Sequence, residues 1–307
     1  MIITKLSEIL EGVPHHVMRS NCPNRPAHSA VLRLLFMTLL FLSKYAENGD
    51  IIVFNGAPSP PHIIELAKLF PECSFEVWNK EEIDGMSGIN IVNHGKVLTA
   101  DDAKMLYKKN NKKILFVSSD HSPDIYMRDG HTKDEVDSVI MGDMQAQMDM
   151  CKIINPRKAF LRFQLPWTDE RYPSTQKYPY LKGTRYLQLY SPAFTVTVLS
   201  TSDYETMEDY DADDYNGKIM AHLMVNVCIS PMRNRWTDLI KEHGLDNRWD
   251  NIYALYITNM YLSRKDDYPG DTEEMQNKAL ELFLKLVKSQ DTEGSFVNKT
   301  VFAADSG

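Results

Sequence analysis

Short β-branched runs alternate with segments of helical period, and that alternation leaves the chain few architectures. HSAVLRLLFMTLLFLSKYAE (28–47) carries apolar residues at helical spacing and is followed by DIIVF (50–54), a buried-strand pattern. PHIIELAKLF (61–70) opens on a proline, which suits a first helical turn, and CSFEVWN (73–79) reads as a second strand. NIVNHGKV (90–97) reads as a third. TADDAKMLYKKN (99–110) has a Thr cap, acids in its first turn and lysines in its last, so it reads as a helix. Then come a strand at KKILFVSSD (112–120), a helix at DEVDSVIMGDMQAQMDMCKII (134–154) and a strand at KAFLRFQLP (158–166). YLQLYSP (186–192) and FTVTVLST (194–201) read as two strands in succession. Alternation of this kind winds a parallel sheet, and consecutive strands add antiparallel partners to it. The expected fold is α/β and Rossmann-like, a mostly parallel sheet with an antiparallel edge.

Beyond residue 215 the clearest segments are helical, WDNIYALYITNMYLSR (249–264) and TEEMQNKALELFLKLVKSQ (272–290). One domain over 1–290 is expected, with a core of about 28–201, a helical C-terminal part of about 216–290 and a frayed tail at 291–307. The longest apolar run, LRLLFMTLLFL (32–42), is interrupted by Arg33 and is too short to span a bilayer. MIITKLSEILEG lacks the long apolar core of a signal peptide, so an intracellular, cytoplasmic protein without membrane contact is expected. The net charge of −8 argues against a globally basic nucleic-acid binder but leaves room for a local basic groove. SDYETMEDYDADDY (202–215), which holds much of that charge, reads as a solvated acidic surface. Cys22, Cys73, Cys151 and Cys228 stand singly, without metal-ligand spacing, and read as buried free thiols. No metal is expected.

In an open α/β sheet, ligands sit beyond the carboxyl ends of the strands. The residues to weigh are therefore Asn55–Gly56, Asn79, Asp120 and those after Phe163. Gly56 permits a tight turn at the mouth of a helix, as a phosphate or cofactor loop requires. Pro58, Pro60 and Pro61 remove amide donors from the same loop, which equally suits a plain strand–helix connection. Asp120 ends the strongest strand and reads as a reaction-centre carboxylate or as a loop cap. Arg162 projects to the same sheet face as Phe160 and Gln164 and needs a partner there. Arg33 presents the same problem inside an apolar helix. The two arginines and Asp120 can form a structural cluster. Trp167 beside Asp169 in PWTDERYP (166–173) has the elements of a stacking and hydrogen-bonding site for a cationic base, or is simply packed.

Taken in order, LRLLFMTLLFLSK, VFNGAPSPPHI, ILFVSSD, the helix leading into INP, FLRFQLPWTD, LQLYSPAFT, DADDYNGK and WDNIYALY resemble the poxvirus cap-specific mRNA 2′-O-methyltransferase family over roughly 25–262. Members of that family also serve as the small subunit of the viral poly(A) polymerase. The resemblance implies an S-adenosylmethionine-dependent methyltransferase fold. It also implies a Lys-Asp-Lys-Glu tetrad in which a lysine of lowered pKa takes the ribose hydroxyl proton. In this chain the tetrad positions fall on Arg33, Asp120, Arg162 and Thr197, so only the aspartate is kept. The cofactor positions fall on Gly56, Ala57, Pro58, His62 and Asn79, with proline in place of a glycine and Asn79 in place of the acidic ribose anchor. The cap-pocket aromatics fall on Trp167 and Phe194, one carboxylate on Asp169 and the second on Asn216. The resemblance therefore implies a subunit of mRNA 5′- or 3′-end processing in which catalysis is degraded and S-adenosylmethionine binding is in doubt. A poly(A) polymerase catalytic subunit, a capping enzyme or a second copy would be its protein partner, and capped mRNA its ligand. Two alternatives remain open: an active cap 2′-O-methyltransferase using Asp120, and a module that only binds cap or RNA.

Overall fold

The computed structural model describes residue 5 and residues 30–56, 60–80, 90–118, 131–168, 176–190, 197–222, 236–245, 249–264 and 272–290. Five strands run parallel as neighbours in the order β3-β2-β1-β4-β5: β1 (Ile51–Asn55), β2 (Ser74–Trp78), β3 (Ile91–Asn93), β4 (Ile114–Ser118) and β5 (Lys158–Phe163). Four more follow: β6 (Lys177–Leu181), β7 (Thr184–Leu187), β8 (Thr197–Thr201) and β9 (Met207–Asp211). β8 joins β5 antiparallel and β7 pairs antiparallel with β8, completing the seven-stranded sheet β3-β2-β1-β4-β5-β8-β7. β6 and β9 form a separate antiparallel pair. This is the mostly parallel, Rossmann-like sheet with an antiparallel edge that the sequence pattern predicts.

The helices are α1 (Ala30–Tyr45), α2 (Pro60–Leu69), α3 (Ala100–Asn110), α4 (Lys133–Ile154), α5 (Ala212–His222), α6 (Thr237–Glu242), α7 (Trp249–Leu262) and α8 (Glu273–Ser289). Local chemistry sets their ends. Thr99 and Thr132 accept from the backbone N–H of Asp102 and Glu135, whose carboxylates reach back to the cap, so both helices start in a capping box. α4 stops at Asn155, which adopts the left-handed conformation (φ 45°) that asparagine tolerates.

Strand register divides the helices into two layers. Phe54, Val117 and Phe160 are paired across β1, β4 and β5 and so share a face. Phe41 of α1 stacks on Phe160 at 4.9 Å, and His62 of α2 meets Phe54 edge-on at 6.3 Å. α3 and α4 pack together and cover the opposite face, which carries Glu76, Trp78, Asn55 and Ser118. The C-terminal helices extend the first layer. Phe283 of α8 meets Phe36 of α1 at 5.7 Å, and Arg264, just past α7, donates to the carbonyls of Leu42, Ser43 and Ala46 at 2.9–3.0 Å. Ser43 and Ala46 lie at the end of α1, where carbonyls lose their helical partners, while the Leu42 carbonyl also accepts the Ala46 N–H at 2.9 Å.

The amino ends of the strands are held by one carboxylate. Asp50 is fully buried immediately before β1; it receives Arg157 Nη2 at 2.5 Å and the Glu47 N–H at 2.7 Å. Arg157 also donates to the Tyr45 carbonyl at 2.8 Å, and Lys113 approaches Asp50 at 3.9 Å. The end of α1 and the starts of β1, β4 and β5 thus meet at Asp50.

Residues 202–215 keep their acids at the surface, as their acidity predicts, but they are more than a solvated segment. They contain β9 and open α5, with Tyr204, Tyr210 and Tyr215 buried. Tyr204 donates to the Pro156 carbonyl at 3.0 Å and Tyr210 to the Leu181 carbonyl at 2.9 Å. The buried tyrosines anchor the segment while its acids stay outside. Cys73 and Cys151 are buried and free, as expected, whereas Cys22, Cys228 and the 291–307 tail lie outside the described residues.

Asp50→Asn leaves Arg157 with a neutral acceptor at the amino ends of the strands and should lower unfolding free energy by about 3 kcal/mol. Chemical denaturation checks this; a midpoint shift with unchanged slope is the expected result.

Candidate functional site

The strand order reverses between β1 and β4, so their carboxyl ends form the crevice where a sheet of this class binds ligands. Asn55 and Ser118 are register partners at that point. Both are buried, and neither Asn55 Oδ1 nor Ser118 Oγ has a hydrogen-bond partner among the described residues. Such a pair is ordinarily satisfied by water or a ligand. Gly56 follows with φ +70°, a conformation natural to glycine, and its N–H donates to the Trp78 carbonyl at 3.2 Å. The one amide of the loop that is described is therefore spent on β2. His62 is buried against Phe54, so its ring belongs to the core beneath α2. Asn79 is half-buried just past β2.

Two of the tetrad positions, Arg33 and Arg162, come together where α1 passes the end of β5, whereas Thr197, the register partner of Phe163, projects to the opposite face. Arg33 is held in the interior and feels Arg162: burial, and then the like charge of Arg162, lower its pKa to about 10, so it remains a cation at neutral pH. Arg162 is itself buried, on the face that alternation predicts. Its Nη2 donates to Gln164 Oε1 at 2.6 Å and its Nη1 lies 3.6 Å from Asp143 Oδ2 on α4. Its backbone N–H donates to Gln147 Oε1 at 3.0 Å. Gln147 bonds β5 one residue past the Ser118–Leu161 pair, the last described between β4 and β5. Thr197, fully buried at the start of β8, donates to the Phe163 carbonyl at 2.8 Å, with the Tyr215 hydroxyl 2.9 Å away.

At the expected cap pocket, Trp167 is half-buried and Asn216 is almost wholly enclosed. The Asn216 amide nitrogen lies 2.9 Å from the Pro166 carbonyl, 2.8 Å from the Ala212 carbonyl and 3.3 Å from Thr168 Oγ1. Its donors hold the 166–168 turn to α5 and are not directed at a ligand. Ala57, Pro58, Asp120, Asp169 and Phe194 lie outside the described residues.

Sequence reasoning found Arg33, Arg162 and Thr197 but missed what holds them. Asp143 and Gln147 sit on α4, and Tyr215 lies in the stretch read as solvated. Four-residue spacing puts Asp143 and Gln147 on one helix face, a signal only once α4 is known to cross the end of β5. Among the described residues no His, Cys, Asp or Glu cluster is arranged to hold a metal ion. No helix there is long and apolar enough to cross a membrane. Neither protein-family models nor a search of curated proteins gives a match to the chain.

Burial raises the Tyr215 hydroxyl to about 12 and pushes those of Tyr180, Tyr204 and Tyr210 up as well. In the unfolded chain a tyrosine ionises near 10, so above that pH the unfolded state holds fewer protons than the folded one. Stability should be level up to about pH 10 and fall from there towards pH 12. Phenolate absorbance should report it: exposed tyrosines ionise first, and the buried group follows in one step coincident with loss of helical circular dichroism.

Proposed function

We propose that the chain is a methyltransferase-like protein that has lost, or all but lost, ribose 2′-O-methyl transfer and acts as a binding or regulatory subunit in mRNA 5′- or 3′-end processing. The observation that carries this reading is the meeting of Arg33 and Arg162, with Thr197 turned to the opposite face of the sheet. Transfer to a ribose hydroxyl needs a group that accepts its proton near neutral pH. A guanidinium does not give up its proton in that range, and Thr197 is bonded to the Phe163 carbonyl. Arg162 is occupied by Gln164 and Asp143 in a structural role.

The cofactor side supports the same reading. Gly56 directs its N–H to Trp78, His62 is in the core, and Asn79 offers a neutral acceptor where a carboxylate would bind a ribose diol more strongly. These residues do not fit S-adenosylmethionine. The mRNA setting rests on the resemblance to the poxvirus family. With it come a viral, cytoplasmic protein and a partner that is a poly(A) polymerase catalytic subunit, a capping enzyme or a second copy. Capped RNA would be engaged through Trp167, on the turn that Asn216 fixes.

Calorimetric titration with S-adenosylmethionine tests the cofactor half of this reading. No saturable heat at two temperatures is the expected outcome. Micromolar binding would overturn it and favour an active methyltransferase that relies on Asp120, in which Asp120→Asn abolishes turnover.

A further inference from the structure

β3 is the outer strand at one edge of the sheet, and the apolar surface of the chain gathers beside it. Four of the five large apolar side chains that stand well exposed among the described residues are Val92, Val97, Met105 and Tyr107, on β3, on α3 and between them. Val92 is 56% exposed in mid-strand and Met105 is 60% exposed in mid-helix. Apolar side chains concentrated in this way mark a contact surface, whereas scattered ones do not. The strand backbone is turned the same way. The Asn90 carbonyl and the His94 N–H bond β2, so by alternation the N–H and carbonyl of Ile91 point away from it.

The edge is firmly built. His94 stacks on Trp78 at 3.7 Å, Lys96 bonds Asp102 at 2.7 Å and Lys109 bonds Glu76 at 2.5 Å, which ties β2, the residues after β3 and α3 together. Glu76 is the register partner of Val92 and lines the same cavity as Met105, so Val92 and Met105 lie at one level of the edge. With those ion pairs closed, α3 presents Asp101, Lys104, Met105 and Lys108 outwards, spaced as one helical stripe. Asp101 stands at one end of the stripe and Lys108 at the other, with Met105 between. The Asp101 side chain is 90% exposed and bonds Lys104 beside it at 2.9 Å, a solvent-screened pair of little strength. Lys108 has no ion pair among the described residues.

We propose that this edge docks a second copy of the chain, about a two-fold axis normal to the sheet and beside Val92. Such an axis runs β3 antiparallel to its copy and sets α3 antiparallel to its copy on the same face of one continuous sheet. Antiparallel α3 helices put Asp101 of each chain against Lys108 of the other and bring the two Met105 side chains together over the two Val92. The stripe is thus complementary to itself, acid to base and apolar to apolar, as a two-fold contact requires. A partner of single-sign charge, such as a nucleic-acid strand or an acidic peptide, would leave one end of the stripe opposed by like charge. The inference is independent of whether methyl transfer is lost.

Sedimentation velocity of the full chain between about 5 and 500 μM tests the assignment, since a contact of this size gives a weak dimer. The weight-average mass should rise with concentration towards that of two chains. Hydrogen exchange across Ile91–Asn93 and Ala100–Asn110 should slow over the same range. Met105→Glu should weaken association by about tenfold or more. Asp101→Lys and Lys108→Asp should each weaken it, and the two together, which restore acid to base across the axis, should recover it; circular dichroism establishes that each variant folds. A chain that stays monomeric throughout overturns the proposal, as does association without slowed exchange in those two segments. So does a dimer that Met105→Glu leaves intact, or a double variant no better than either single one.

Discussion

A single buried carboxylate, Asp50, sets the geometry on which the sheet depends. A charged group with no exposed surface is tolerable only when its charge is matched; here both hydrogen bonds fall on Oδ2, and Oδ1 lies 3.9 Å from Lys113 Nζ. Arg157 supplies the charge and the Glu47 amide a further hydrogen bond. Because Arg157 opens β5 and also bonds the end of α1, the matching fixes α1, β1 and β5 in one arrangement. It does so at the amino ends of the strands, so the carboxyl ends, where the loops lie, need not carry that constraint. Arg264 does comparable work one layer out, closing the end of α1 with a side chain from beyond α7.

The other end of the sheet presents the opposite situation. There Arg33 and Arg162 place two positive charges in a shared interior, which is unfavourable unless other contacts offset it. Asp143 and Gln164 give the Arg162 guanidinium its offset, and Gln147 bonds the Arg162 backbone N–H and carbonyl. Thr197 bonds the Phe163 carbonyl of the neighbouring strand and adjoins the Tyr215 hydroxyl. Each of these side chains is accounted for by an interaction that holds the chain together. The bonds at these positions serve packing and register.

The sheet was legible because periodicity reports burial directly. IIVFN and ILFVS are apolar strands with residues on both faces enclosed, as parallel strands are, and Thr99 and Thr132 announce their helices by capping chemistry. β6 was not legible: KYPYL holds Pro179, which demotes a strand reading, and it forms only because β9 lies across from it. Residues 202–215 were legible as an acidic surface but not as β9 and the start of α5, since their acids outnumber the tyrosines that anchor them. At the site, residue types could be read but partners could not. Asp143 with Arg162, Tyr215 with Thr197, and His94 with Trp78 are meetings set by strand register and helix crossing, which no local window contains.

On the proposed reading the Arg33–Arg162 pair is structural, and neither it nor Thr197 supplies a base. The most direct measurement is single-turnover transfer of a labelled methyl group from S-adenosylmethionine to capped RNA, with the protein in excess over RNA. The account predicts no ribose-linked label above the protein-free blank. Stoichiometric labelling of the ribose 2′-oxygen that disappears in Arg162→Gln, with the fold intact, would contradict it.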